Sequence, residues 1–113
     1  MTTIFKKIID REIPAEIVFE DERCLAFKDV DPQAPVHVLL IPKKEIPSFS
    51  HLSEEDNALV GHMMLKAGEI AQDLGLEKYG YRVVTNVGPH GGQTVFHLHF
   101  HILGGRPLAW PPG

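Results

Sequence analysis

Histidine recurs at every second position in one short stretch: His97, His99 and His101, interleaved with Leu98 and Phe100 and followed by Ile102 and Leu103. Period two is the period of a β-strand. The three imidazoles are therefore expected on one face of a strand over residues 95–103, with Leu98, Phe100 and Ile102 on the other. Imidazole has a reference pKa of about 6.5, so such a row titrates close to neutrality. Three chemistries could use it. A neutral imidazole can attack phosphorus and form a nucleotidyl-histidine that water then resolves. A second, protonated ring can stabilise charge or deliver a proton to the leaving group. Alternatively, alternate histidines can chelate zinc, with His37 as the natural fourth ligand. The plain reading is a set of hydrogen-bonded core histidines on a binding module.

The loop before the row favours anion chemistry. Gly91-Gly92 can adopt positive φ and turn its N–H groups toward an anion. Gln93 and Thr94 add side-chain donors, and Asn86, at the end of a preceding strand, adds another. A phosphate held by Gly92, Gln93 and Thr94 would lie near the ring of His99 or His101.

Other elements must hold these groups in place. Apolar spacing predicts a short helix from residue 4, closed by Pro14. Residues 17–20 and 24–28 read as a hairpin around a polar turn, and residues 36–41 as a strand buried on both faces. His37 is the one polar residue in that run and shares a face with Leu39 and Ile41. A long helix is expected over residues 54–74, with Ser53 as N-cap, Asp56 completing a capping box and Gly75 as the stop. Its apolar stripe is Leu59, Val60, Met63, Met64, Ala67, Ile70, Ala71 and Leu74; His62 falls on the solvated side. Gly61 and Gly68 flank the stripe and hint at helix packing across a dimer. A strand over 81–86, a loop over 87–94 and the histidine strand complete an α+β domain with a mainly antiparallel sheet.

The 113-residue chain is one domain by length, residues 1–113. Its net charge of -4 argues against a nucleic-acid binder. The longest apolar run is too short to span a bilayer, so no membrane partner is expected. Cys24 is the only cysteine, which excludes an intrachain disulfide and points to a reducing, cytoplasmic setting. The N-terminus lacks the pattern of a secretory signal.

The run Gly91-Gly92-Gln93-Thr94-Val95-x-His97-x-His99-x-His101-x-x-Gly104-Gly105-Arg106 resembles the histidine-triad motif, in the form of its nucleotide-binding (Hint) branch. The segment Ile4-Phe5-x-Lys7-Ile8-Ile9, the segment from Ala34 to Lys44 and the tail Trp110-Pro111-Pro112-Gly113 are similar to that branch too. The resemblance implies a five-stranded, mainly antiparallel sheet with one long and one short helix, joined to a second sheet across a homodimer. It implies hydrolysis of purine nucleoside 5′-phosphoramidates and related adenylates such as aminoacyl-AMP, without metal or cofactor. His99 would be the nucleophile, His101 would bind phosphate and stabilise the transition state, His97 would orient its neighbours, and His37 would support the triad. Asn86, Gly92, Gln93, Thr94 and Val95 would form the phosphate and leaving-group side. Asp29 would hold the ribose hydroxyls. Phe5, Ile8, Phe27 and Val30 would line the base pocket, residues that by themselves read as plain core. Trp110 would reach the partner's site. With histidine at position 101, water is favoured as the acceptor over a second sugar phosphate. Two alternatives remain: hydrolysis of dinucleoside polyphosphates, and nucleotide binding without turnover.

Overall fold

A computed structural model describes residues 2–113. Short helix α1 (Ile4–Ile9) is followed by β1 (Ile17–Glu20), β2 (Cys24–Lys28) and β3 (Val36–Pro42). Helix α2 (Asn57–Asp73), β4 (Tyr81–Val84), the single turn α3 (Gly88–Gly91) and β5 (Phe100–Gly104) complete the chain. The sheet has five strands in the order β1-β2-β3-β5-β4, and all four pairings are antiparallel. This is the α+β architecture expected.

Strict alternation along β2, β3 and the histidine segment divides the core in two. Cys24, Ala26, Val38, Leu40, Leu98, Phe100 and Ile102 pack with Met63, Ala67, Ile70 and Ala71 of α2. Leu25, Phe27, Leu39 and Ile41 pack on the other face with Phe5 and Ile8 of α1. His37 lies on this second face, as its register with Leu39 and Ile41 requires. Leu98 is almost fully buried, so Leu98→Ala is expected to destabilise the fold by about 2–5 kcal/mol, read as a lower urea midpoint at unchanged slope.

Several boundaries differ from the sequence reading. The ladder of the histidine strand starts at Phe100, not at residue 95. Upstream of it Leu98 donates its N–H to the Ile46 carbonyl at 2.6 Å, and the His99 carbonyl accepts from the Thr85 hydroxyl at 2.9 Å. These partners replace the ladder, yet the side-chain alternation continues through residues 97–99. α1 ends at Ile9 with Asp10 as its C-cap, and Arg11 takes a left-handed φ of 62°, before Pro14 is reached. A 3-10 turn (Glu54–Asp56) precedes α2, and Ser53 donates its N–H to the Asp56 carboxylate at 3.0 Å. Gly75 follows the helix at φ 77°, the stop expected of it. The 87–94 loop contains α3, and of its glycine pair only Gly92 is left-handed.

Two residues of α2 depart from their expected places. Met64 is exposed, whereas the rest of the predicted stripe is buried or half-buried. His62 is not freely solvated: its Nε2 meets the Asp21 carboxylate at 2.6 Å. A methyl group at Gly61 would meet open space, and one at Gly68 would meet only the Tyr81 hydroxyl, at 3.9 Å, so among the described residues no other backbone packs on either.

Candidate active site

The site is built on the α1 face of the sheet, where β3 and the histidine segment run side by side. Pairing of Leu39 with His101 and of His37 with Leu103 brings two rings from different strands together. His37 Nε2 and His101 Nδ1 are 2.9 Å apart. The His99 and His101 ring centres are separated by 4.9 Å. Phe5 of α1 closes the other side, with its ring near-perpendicular to that of His99 at 5.0 Å.

Hydrogen bonds to groups of fixed polarity settle which nitrogen of each ring carries its proton. A backbone N–H can only donate and a carbonyl oxygen can only accept. His37 Nδ1 accepts from the Gln33 N–H at 3.0 Å, so in the neutral ring Nε2 holds the proton and donates it to His101 Nδ1. Neutral His101 then carries its own proton on Nε2. His99 Nδ1 lies 2.7 Å from the His97 carbonyl and must donate, which leaves Nε2 of His99 as a free lone pair. His97 Nε2 donates to the Pro42 carbonyl at 2.7 Å. The rings are thus unequal. One presents a nucleophilic nitrogen, its neighbour presents an N–H donor, and the third anchors the backbone.

Burial keeps these rings neutral. Desolvation holds His37, His97 and His99 below the ordinary imidazole value, against the opposing carboxylate of Asp29 at His37 and His99. His101 is pushed down to about 4, first by desolvation and then by its proximity to His99 and His37. The protonated second ring expected from sequence is therefore a neutral N–H donor in the free protein. Stability follows from the same shift. The folded-state pKa of His101 is depressed, so its contribution is complete above about pH 6.5 and is lost as pH falls toward 4. Between pH 7.5 and 5 His101 alone should remove about 2 kcal/mol of folding stability. Urea midpoints at the two pH values check this, and the pH dependence should shrink in His101→Gln.

The remaining expected residues fall into two groups. Phe5, Ile8 and Phe27 do form one apolar cluster beside the rings. Asp29 stands 3.4 Å from His37 Nε2 through Oδ2, while Oδ1 accepts from the Asp31 N–H. Asn86 is half-buried, and Thr94 lies exposed on the loop ahead of half-buried Val95. A hollow of about 440 Å³ beside Thr94 is lined by Thr3, Ile4, Pro47, Val95 and Phe96. Other residues are placed differently from expectation. Val30 is 98% exposed and does not join the apolar cluster. Gln93 is buried and its amide is spent inside the protein: Nε2 donates to the Pro47 and Val95 carbonyls, and Oε1 accepts from the Gly88 N–H. The backbone N–H groups of Gly92 and Gln93 turn back onto Pro89 and Gly88, which closes α3. Gln93 thus shapes the loop through its side chain. Trp110 is exposed, on a tail tied to β4 by Arg82, which donates to the Leu108 and Ala109 carbonyls.

The sequence reading missed Gln33, Pro42 and Thr85, the groups that fix His37, His97 and the His99 backbone. Two of the three act through main-chain atoms, which leave no side-chain signal. The grouping of Asp29, His37 and His101 offers three ligand atoms within 4.8 Å. A metal there would have to break the His37–His101 hydrogen bond.

A five-stranded antiparallel sheet with one long helix, carrying alternate histidines against a second strand's histidine, defines a histidine-triad protein. The HIT domain model matches residues 10–108, and the chain belongs to that family. An uncharacterized HIT-like protein of Synechocystis sp. is 67% identical over 111 residues, covering 98% of this chain and 96% of that one. A HIT family hydrolase from Legionella pneumophila Philadelphia 1 is 48% identical, covers 99% of this chain and 100% of its own, and superposes with a TM-score of 0.97. A histidine triad protein from Clostridium difficile is 43% identical with a TM-score of 0.90, covering 94% of this chain and 92% of that one. Among the described residues no helix is long and apolar enough to cross a membrane.

Proposed function

We propose that this chain hydrolyses the P–N bond of purine nucleoside 5′-phosphoramidates and related adenylates, through a nucleotidyl-histidine on His99. The observation that carries the reading is the division of roles set by the hydrogen bonds: a lone pair on His99 Nε2 beside an N–H on His101 Nε2. In the first step His99 Nε2 bonds to phosphorus, the P–N bond breaks, and the leaving amine takes up a proton from solvent. In the second, water attacks phosphorus, its proton is lost to solvent or base, and the P–Nε2 bond breaks to free the nucleoside monophosphate. The His101 N–H meets the charge that builds on the phosphoryl oxygens in both steps. An arriving phosphate anion raises the proton affinity of His101, so the donor gains charge when it is needed. Asp29 suits the ribose hydroxyls, and Phe5, Ile8 and Phe27 suit one edge of a base.

The catalytic unit in this reading is a homodimer. β4 is an edge strand with Tyr81 and Val83 half-exposed, and α2 presents Met64 and Leu65 to solvent beside Gly61 and Gly68. A second copy would cover this surface and bring its own Trp110 within reach of the site. The reading is tested by assaying amine release from an adenosine phosphoramidate in the presence of a chelator. Undiminished turnover is expected; loss of activity in chelator, or AMP binding with no amine released, would overturn it. Comparing kcat/KM for a phosphoramidate and a dinucleoside polyphosphate separates this activity from its nearest relative.

A further inference from the structure

A second cluster of metal-ligating atoms lies on the opposite, α2-packed face of the sheet. Asp21 opens the β1–β2 turn, Cys24 opens β2, and His62 reaches across from α2. One ligand atom from each of the three lies within 4.8 Å of the others. The carboxylate is already oriented: Oδ1 accepts from the N–H groups of Arg23 and Cys24, both at 2.8 Å, which turns Oδ2 toward His62 Nε2 at 2.6 Å. We propose that Asp21 Oδ2, Cys24 Sγ and His62 Nε2 form a binding site for a zinc-class divalent cation, with water as the fourth ligand.

The donor set argues for this class of ion. Thiolate and imidazole select zinc or cobalt over magnesium and calcium, which take oxygen ligands. Tetrahedral zinc needs its ligands roughly 3–4 Å apart, so Asp21 and His62, 2.6 Å apart without metal, must separate slightly. The Asp21 and His62 side chains are about a quarter exposed, which gives both the freedom to move and an entry path. Packing alone asks for no sulfur at position 24, where any small apolar side chain would fill the core. Without metal the imidazole donates to Asp21, and the buried Cys24 thiol lies within 4.8 Å of both.

Metal binding exchanges those protons. The thiol proton is released to solvent, and the His62 proton moves from Nε2 to Nδ1 so that Nε2 can ligate. The thiol is pushed up to about 12, first by burial and then by the Asp21 charge, with Lys66 and Lys43 opposing. Affinity should therefore rise about tenfold per pH unit through neutrality. The site goes beyond the phosphoramidase reading and does not depend on it.

Cobalt(II) is the probe. Cys24 is the only cysteine, so a thiolate-to-cobalt charge-transfer band reports this site alone even when cobalt also reaches the triad histidines. Titration of the full folded chain should give a band that saturates at one equivalent, strengthens with pH and is displaced by zinc. Cys24→Ser should abolish it. His62→Gln, at a half-buried helix position, keeps an amide donor toward Asp21 and should weaken apparent affinity by about tenfold or more. No band at millimolar cobalt, or a band with unchanged affinity in both His62→Gln and Asp21→Asn, would overturn the site.

Discussion

His99→Ala is expected to lower kcat for phosphoramidate hydrolysis by on the order of 10⁴-fold or more, while AMP binding changes little. The variant removes the lone pair that lies beside the His101 N–H; the Nδ1 of His101 is taken by His37, and His97 is almost fully buried and held to the Pro42 carbonyl through Nε2. His101 could replace it only by reversing its bond with His37, which the Gln33 N–H on the far side of that ring forbids. Steady-state amine release measures the loss, and calorimetric titration with AMP shows that the pocket survives. A variant that turns over normally would mean that water attacks phosphorus directly.

His101→Ala should cost about 10²–10³-fold in kcat, the usual effect of deleting one donor to a developing oxyanion. The larger part should fall on kcat, because the N–H is worth most when charge accumulates on phosphorus. The substitution also strands the His37 Nε2 proton, whose next acceptor is Asp29 Oδ2 at 3.4 Å. His101→Gln restores a donor at roughly the right reach and should recover part of the rate. Equal losses in both variants, carried wholly by KM, would assign His101 to ground-state binding instead.

The alternation of His97, His99 and His101 with Leu98, Phe100 and Ile102 was enough to predict which face meets the core. Leu98, Phe100 and Ile102 do pack with α2, and the histidines do share a face with Phe5 and Leu39. Both strands of the hairpin, the buried third strand and the capped long helix were equally legible, since each has its own period and punctuation. What sequence could not supply were contacts between distant segments. Gln93 reads as a ligand donor until the Pro47 carbonyl, 46 residues away, is found to hold its amide. His62 reads as solvated because nothing nearby in the chain shows that Asp21 is opposite. The inequality of the three rings is likewise hidden, because it is decided by Gln33, Pro42 and the chain's own carbonyl at His97. Trp110 marks the same boundary: in this one chain it meets solvent.

Two displacements at phosphorus distinguish the nucleotidyl-His99 route from a single attack by water. The most direct measurement is the stereochemical course of hydrolysis of a P-chiral nucleoside phosphorothioamidate in oxygen-18 water. Attack by His99 followed by attack by water inverts phosphorus twice and predicts overall retention. Overall inversion would show a single displacement and contradict a covalent role for His99.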